Sequence, residues 1–139
     1  MSDSTKQQLA HRLKLELPQF TGDLQRFRHS LFRTVIYTPG VQYLMQEASA
    51  YWLIDAIASH LASPEFHAAL KQDSRIQDLH FWTLSVSDDK SAVLNARVDR
   101  GEPTFISQQI PFTDFPLPSI DIWVGFDGQH YTVYLPSEH

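Results

Sequence analysis

The chain has 139 residues, 42% hydrophobic and 12% aromatic, which supplies a real core and excludes a disordered chain. Sixteen acidic residues against eleven basic ones give a net charge of −5, which argues against wholesale binding to nucleic acid. There is no cysteine, so a disulfide framework, a thiolate metal site and a cysteine nucleophile are excluded, and no apolar run approaches the ~18 residues of a membrane span.

The opening segment, MSDSTKQQLAHRLKLEL, lacks the basic segment, apolar stretch and small-residue cleavage site of a signal peptide, so a cytoplasmic location is expected. Leu9, Leu13 and Leu17 recur at four-residue spacing and predict an N-terminal amphipathic helix over 5–17, with Ser4 or Thr5 as N-cap and Pro18 as its stop. Charge is uneven along the chain: residues 1–35 carry six basic and three acidic residues, and the remainder five basic and thirteen acidic. Arg12, Lys14, Arg26, Arg28 and Arg33 therefore form either a basic patch for an anionic partner or an internal match for an acidic body.

QFTGDLQRFRHS is compatible with a turn and a short helix, whereas LFRTVIYT reads as a strand closed by the turn pair Pro39-Gly40. From Val41 to Ala62 the period becomes helical. Val41, Leu44, Met45, Ala48, Trp52 and Ala56 fall within about 120° of one another, while Ile57 and Leu61 occupy the other side. That pattern predicts one long central helix covered on more than one side. Ser63, Pro64 and Glu65 restart a helix that ends near Lys71-Gln72.

After residue 78 the period is two. HFWTLSV and SAVLNARV form a hairpin that sets Trp82 opposite Ala96, Leu84 opposite Leu94 and Val86 opposite Ala92. FISQQIPF is a further strand. In IDIWVGFDGQHYTVYL, a two-residue turn at Asp127-Gly128 would place Ile120 opposite Leu135, Ile122 opposite Val133 and Val124 opposite Tyr131. These elements predict one α+β domain over 1–139, with a long central helix packed on a twisted, mainly antiparallel sheet of about five strands that meanders through 79–136.

Four strings, QFTG, YTPGVQYLMQEASAYWLIDAIAS, FTDFPL and the closing LPSEH, resemble a family of small uncharacterised bacterial proteins, a domain of unknown function. Its pattern is Y-T-x-G-V-x-Y-L leading into A-Y-W-L-x-D, then T-D-F-P-L, then L-P-S-E, and the match runs along nearly the whole chain. The resemblance implies a stand-alone cytoplasmic protein, in some cases encoded on a plasmid or other mobile element, and it carries over no catalytic residue. Pro39 stands where aspartate is common, and His139 where an aromatic is usual.

Asp55 is the first candidate for chemistry. On a continuous helix it falls between Leu44, Ala48, Tyr51 and Trp52, inside the apolar stripe. A carboxylate there is either a tuned acid or base, or an acceptor tying the helix to a loop backbone, the Trp82 indole or Arg97. Glu47 lies about 80° away and could join it at a hard cation, or could simply be solvated. Asp114 either caps the T-D-F-P-L turn by bonding the backbone two residues on, or contacts a ligand. Seven histidines show no H-x-H or H-x-x-x-H spacing, and only His60 and His67 could meet across Ser63-Pro64. No metal site or cofactor is expected.

On the outer face of the last hairpin, Trp123 and Tyr134, with Phe81 or Val93, make an aromatic patch. It is either a partner site or a second core layer beneath Leu9 and Leu13 of the N-terminal helix. The first functional expectation is a binding or interaction module with a protein partner, or a homo-oligomer, acting as an accessory protein of a mobile element. The alternative is a small hydrolytic or acid–base enzyme using Asp55 with Asp114 or Glu138, and a third reading is nucleic-acid contact through the N-terminal basic residues.

Overall fold

The first helix, α1 (Asp3–Glu16), buries Leu9 and Leu13 and leaves its other turns wet, as the four-residue leucine spacing requires. It comes from a computed structural model that describes residues 3–139. Ser4 and Thr5, expected as caps, lie inside α1, which starts at Asp3 with an acid in its first turn and Lys14 in its last. Pro18 then forces a single 3₁₀ turn, Leu17–Gln19.

Two short strands follow, β1 (Phe27–Arg28) inside the ambiguous segment and β2 (Val35–Tyr37). The strand expected over LFRTVIYT is this short because Phe32 to Val35 forms a turn, closed by the Val35 N–H donating to the Phe32 carbonyl at 2.9 Å. Pro39-Gly40 does not make a turn after it. Thr38 is an N-cap and Pro39 the first residue of α2 (Pro39–Glu47).

The single helix expected over 41–62 is two helices, α2 and α3 (Tyr51–Leu61). Between them Ser49 adopts φ 51°, in the left-handed region, and the Ala50 N–H donates to the Met45 carbonyl at 2.9 Å. This six-to-one bond around a left-handed residue is a Schellman stop with serine where glycine is preferred. The break also resets helical phase, so the angular position assigned to Asp55 by counting from Val41 does not hold.

Ser63 caps α4 (Pro64–Gln72) by accepting from the Phe66 N–H at 3.2 Å, and the one-turn α5 (Arg75–Asp78) leads directly into β3 (Leu79–Val86). β3 and β4 (Ala92–Arg97) pair as anticipated, with Trp82 opposite Ala96, Leu84 opposite Leu94 and Val86 opposite Ala92. β5 (Thr104–Ile110) pairs with β4, with a bulge at Phe105.

β6 (Ser119–Phe126) and β7 (Tyr131–Tyr134) pair two residues out of the expected register: Val124 faces Val133, and Phe126 faces Tyr131. Instead of a two-residue turn, Asp127 closes a wider loop, its carboxylate accepting from the Gln129 and His130 N–H groups at 2.8 and 2.6 Å. A shift of two preserves the pleat, so the apolar face is unchanged.

The sheet has seven strands rather than five, in the order β1-β2-β7-β6-β3-β4-β5, and the β2–β7 pair is parallel. It is not a simple meander through 79–136, because β6 returns to pair with β3. The connection PFTDFPLPS makes that return, burying Phe115 and Leu117 and bonding to Lys90 and Val86 through the backbones of Thr113 and Pro118. The core joins the inward residues Trp82, Leu84, Leu94, Ile122 and Val133 to Leu13 of α1, Leu44 of α2, Leu53, Ile54 and Ile57 of α3, and Phe66 of α4. Among the described residues no α-helix packs on the opposite face of the sheet, which is reached only by the 3₁₀ turn Pro136–Glu138 and His139.

Ser49 holds its conformation against the steric preference of an L residue. Ser49→Gly is expected to stabilise the fold by up to about 1 kcal/mol in urea unfolding, and Ser49→Val to destabilise it by at least about 1 kcal/mol.

Candidate functional site

Asp55 is not buried in an apolar stripe: its side chain is 61% exposed, because α3 starts a new helical phase after Ser49. It bonds neither a loop backbone, nor the Trp82 indole, nor Arg97. Its partner is His29, whose Nε2 lies 2.7 Å from Oδ1. His29 is buried, and its Nδ1 accepts from the Leu31 and Phe32 N–H groups at 3.1 and 3.0 Å. Two backbone donors make Nδ1 an acceptor, so Nε2 carries the hydrogen donated to Asp55. Both ring nitrogens are occupied, and no free lone pair is left to take a proton from a substrate. Nearby, burial first, then Tyr51 and then Asp55 push the Tyr37 phenol above its ordinary range. The pair ties the loop before β2 to α3.

The other carboxylates proposed to work with Asp55 have separate partners. Glu138 accepts from Thr38 Oγ1 at 2.6 Å, the Gly40 N–H at 3.3 Å and the Leu135 N–H at 3.0 Å. The Thr38 hydroxyl meanwhile accepts from the Val41 N–H, so the α2 N-terminus rests on the last turn of the chain. Only glycine fits at position 40, since a Cβ there would stand 2.7 Å from Glu138 Oε1 and 2.8 Å from Leu135 Cδ1. Asp114 is exposed between Lys90 and Lys6, at 3.5 and 3.9 Å. It does not cap the T-D-F-P-L turn; the Thr113 hydroxyl does, accepting from the Phe115 N–H at 3.1 Å.

Glu47 pairs with Arg12 of α1 at 3.1 Å, an internal use for one member of the basic patch. Arg26 donates to the carbonyls of Asp23 and Gln25, while Lys14, Arg28 and Arg33 are exposed. His60 bonds Gln108 of β5 at 2.6 Å and does not meet His67 at a metal site. Among the described residues no cluster of three or more His, Asp or Glu side chains is placed to hold a metal ion. His80 is fully buried: its Nδ1–H donates to the Ile76 carbonyl at 2.9 Å, and its Nε2, in a box of Phe66, Phe105 and Trp82, has no hydrogen-bond partner among the described residues. Burial lowers its pKa to about 4.

Chemistry-bearing side chains do converge on the bare face of the sheet. Strand register sets Arg97, Phe81, Trp123 and Tyr134 in one row across β4, β3, β6 and β7. Phe81 and Tyr134 meet the Trp123 ring edge-on, with centroids at 4.9 and 6.2 Å, and the His139 ring stacks on Tyr134 at 5.9 Å. The row is not a second core layer under α1: Leu9 and Leu13 enter the core on the other face, and all three aromatics stay half-exposed.

A groove of about 750 Å³ opens over Phe81 and Trp123, rimmed by Arg97 and Arg100 and by Asp99, Glu102 and Asp121. Among the described residues no carboxylate lies within ion-pair distance of either arginine. Asp55, Asp114 and Glu138 do not line this groove; Glu138 lines a separate, smaller one beside Tyr134. Sequence reasoning found the aromatics and missed Arg97 as the end of their row. Its place follows from the β3–β4 register, which pairs it with Phe81.

Residues 11–139 match the model of a family described as a family of unknown function, DUF6876. The described fold is similar to a solved structure, the crystal structure of a protein of unknown function from Enterococcus faecalis. That likeness has a TM-score of 0.51 and 22% identity, and covers 84% of this chain and 93% of the other. No curated protein matches. Among the described residues no helix is long and apolar enough to cross a membrane.

Two outcomes follow from the buried polar groups. Glu138→Ala leaves the Thr38 hydroxyl and two N–H groups without their acceptor, and is expected to cost about 2 kcal/mol in chemical unfolding. His80 has a lower pKa folded than unfolded, so the unfolded chain binds the proton first and stability falls as pH drops from 6.5 towards 4. Between pH 7 and 4.5 the protein should lose about 2 kcal/mol more than His80→Leu, measured as unfolding midpoints at each pH.

Proposed function

Since this chain belongs to DUF6876, a family of unknown function, we propose a role read from its surface: a cytoplasmic, non-catalytic binding module that docks a protein partner on the bare face of its sheet. The observation that carries it is the row Arg97–Phe81–Trp123–Tyr134, which crosses four neighbouring strands and, among the described residues, is met only at its Trp123–Tyr134 end by His139 of the C-terminal turn. Interlocked rings at the centre with charged groups around them match the anatomy of a protein-binding hot spot. Both signs of charge occur on the rim, and its three carboxylates against two arginines suit a protein surface better than a phosphate backbone. Such a module would suit an accessory protein of a mobile element. The acid–base alternative is less well served, because Asp55, Asp114 and Glu138 are each engaged with different partners.

The test is co-purification of the tagged protein from its host, with absorbance checked for nucleic acid, followed by direct binding of the purified partner. Trp123→Ala should weaken that affinity at least about tenfold and leave the circular dichroism spectrum unchanged, while Asp114→Asn binds normally. A partner held equally well by Trp123→Ala would remove the bare face from the interaction.

A further inference from the structure

The two edges of the sheet are protected very differently. At one side β1 ends the ladder after two residues, with Arg26 and Arg28 exposed in and beside it. Short, charged edges of this kind are how sheets avoid pairing with other chains. At the other side β5 runs for seven residues, TFISQQI, without a single charged side chain. β4 takes one side of its backbone. Among the described residues no other group bonds the backbone of Thr104 to Ile110. Thr104, Ser107 and Gln109 are exposed along it, and inward-facing Gln108 is held by His60, which keeps the strand in place.

We infer that β5 pairs with β5 of a second copy of this chain, antiparallel and about a two-fold axis at Ser107. An unsatisfied strand edge needs another extended edge, and every copy of this chain brings one that fits. In that register Ser107 faces Ser107 and the inward Ile106 faces the inward Gln108, whereas the bulge turns Phe105 towards Phe66 and His80 and takes it out of the match with Gln109. Pro103 and Pro111 stand at equal distances from Ser107, so proline meets proline where the ladder ends, at residues that have no N–H to donate. From Ile106 to Gln108 residues of the same face meet across the axis, so the helices of both copies cover the same side of one continuous sheet. No like charges meet along the ladder, although each chain carries a net charge of −5. By the two-fold the bulge at Phe105 falls at both ends of the ladder and leaves Ile106–Gln108 as its regular centre. This interface lies on the edge of the sheet and is independent of the docking face proposed above.

The absence of cysteine makes the test direct. Residues facing each other across a two-fold strand pair bring their Cβ atoms to about 4.5–5.5 Å, near disulfide range. Ser107→Cys should therefore form a covalent dimer under mild oxidation, and Ser85→Cys, exposed on an interior strand, should not. Sedimentation of the unaltered protein up to about 200 µM should show a dimer, and Ser107→Lys, which sets two ammonium groups at the axis, should weaken it at least about tenfold with unchanged circular dichroism. A monomer at the highest concentration overturns the inference, as does cross-linking of Ser107→Cys no faster than of Ser85→Cys. A dimer abolished by Trp123→Ala and untouched by Ser107→Lys would place self-association on the bare face and overturn it too.

Discussion

The carboxylate of Glu138 joins two parts of the chain a hundred residues apart, and much of the architecture hangs on that junction. One side chain accepts from the cap residue of α2, from the first free N–H of that helix and from the backbone leaving β7. Negative charge at a helix N-terminus is favourable on electrostatic grounds alone, and here the same group fixes where the helix points. The parallel pairing of β2 with β7 lies immediately beside it and brings β1 into the sheet. Gly40 completes the arrangement, because its missing side chain lets helix and C-terminal turn approach so closely.

With the helical half held in that position, every apolar helix face turns to one side of the sheet. Aliphatic residues and the buried rings of Trp82, Phe66 and Phe115 fill that side, and the other carries half-buried rings, a guanidinium and short polar groups such as Thr83 and Asp121, which bond each other across β3 and β6 at 2.9 Å. The likeness to the enterococcal structure lies in fold alone, so it adds no chemistry to this surface.

The α+β class, the β3–β4 register and the Ser63 cap were legible because each depends on residues close in sequence. The hydrophobic alternation of two neighbouring strands fixes their pairing, and a serine before Pro-Glu announces a helix start. What was not legible was non-local or rested on one torsion. Nothing in the composition of EASAY marks Ser49 as a left-handed stop, since serine takes the place where glycine would have been a signal. That single angle moved Asp55 from the expected core to the surface. The tie between His29 and Asp55 spans 26 positions and that between Thr38 and Glu138 a hundred, and no periodicity reports on either. The pair Asp127-Gly128 by itself favours a tight two-residue turn. The Asp127 side chain instead captures two N–H groups further on and widens the loop.

The parallel β2–β7 pair also bears on how the chain is made. Val35 pairs with Tyr131, so the ribosome must add almost a hundred residues before the strand that completes this part of the sheet exists. Closing so long a loop is entropically demanding and slows the step that depends on it. Until then β2 is itself an open edge and the amide of Gly40 lacks its carboxylate, while the β3–β4–β5 hairpins can already form from local contacts. A nascent chain thus passes through a stage in which β2, β6 and β5 all present open edges, and the first two are closed together when β7 inserts between them.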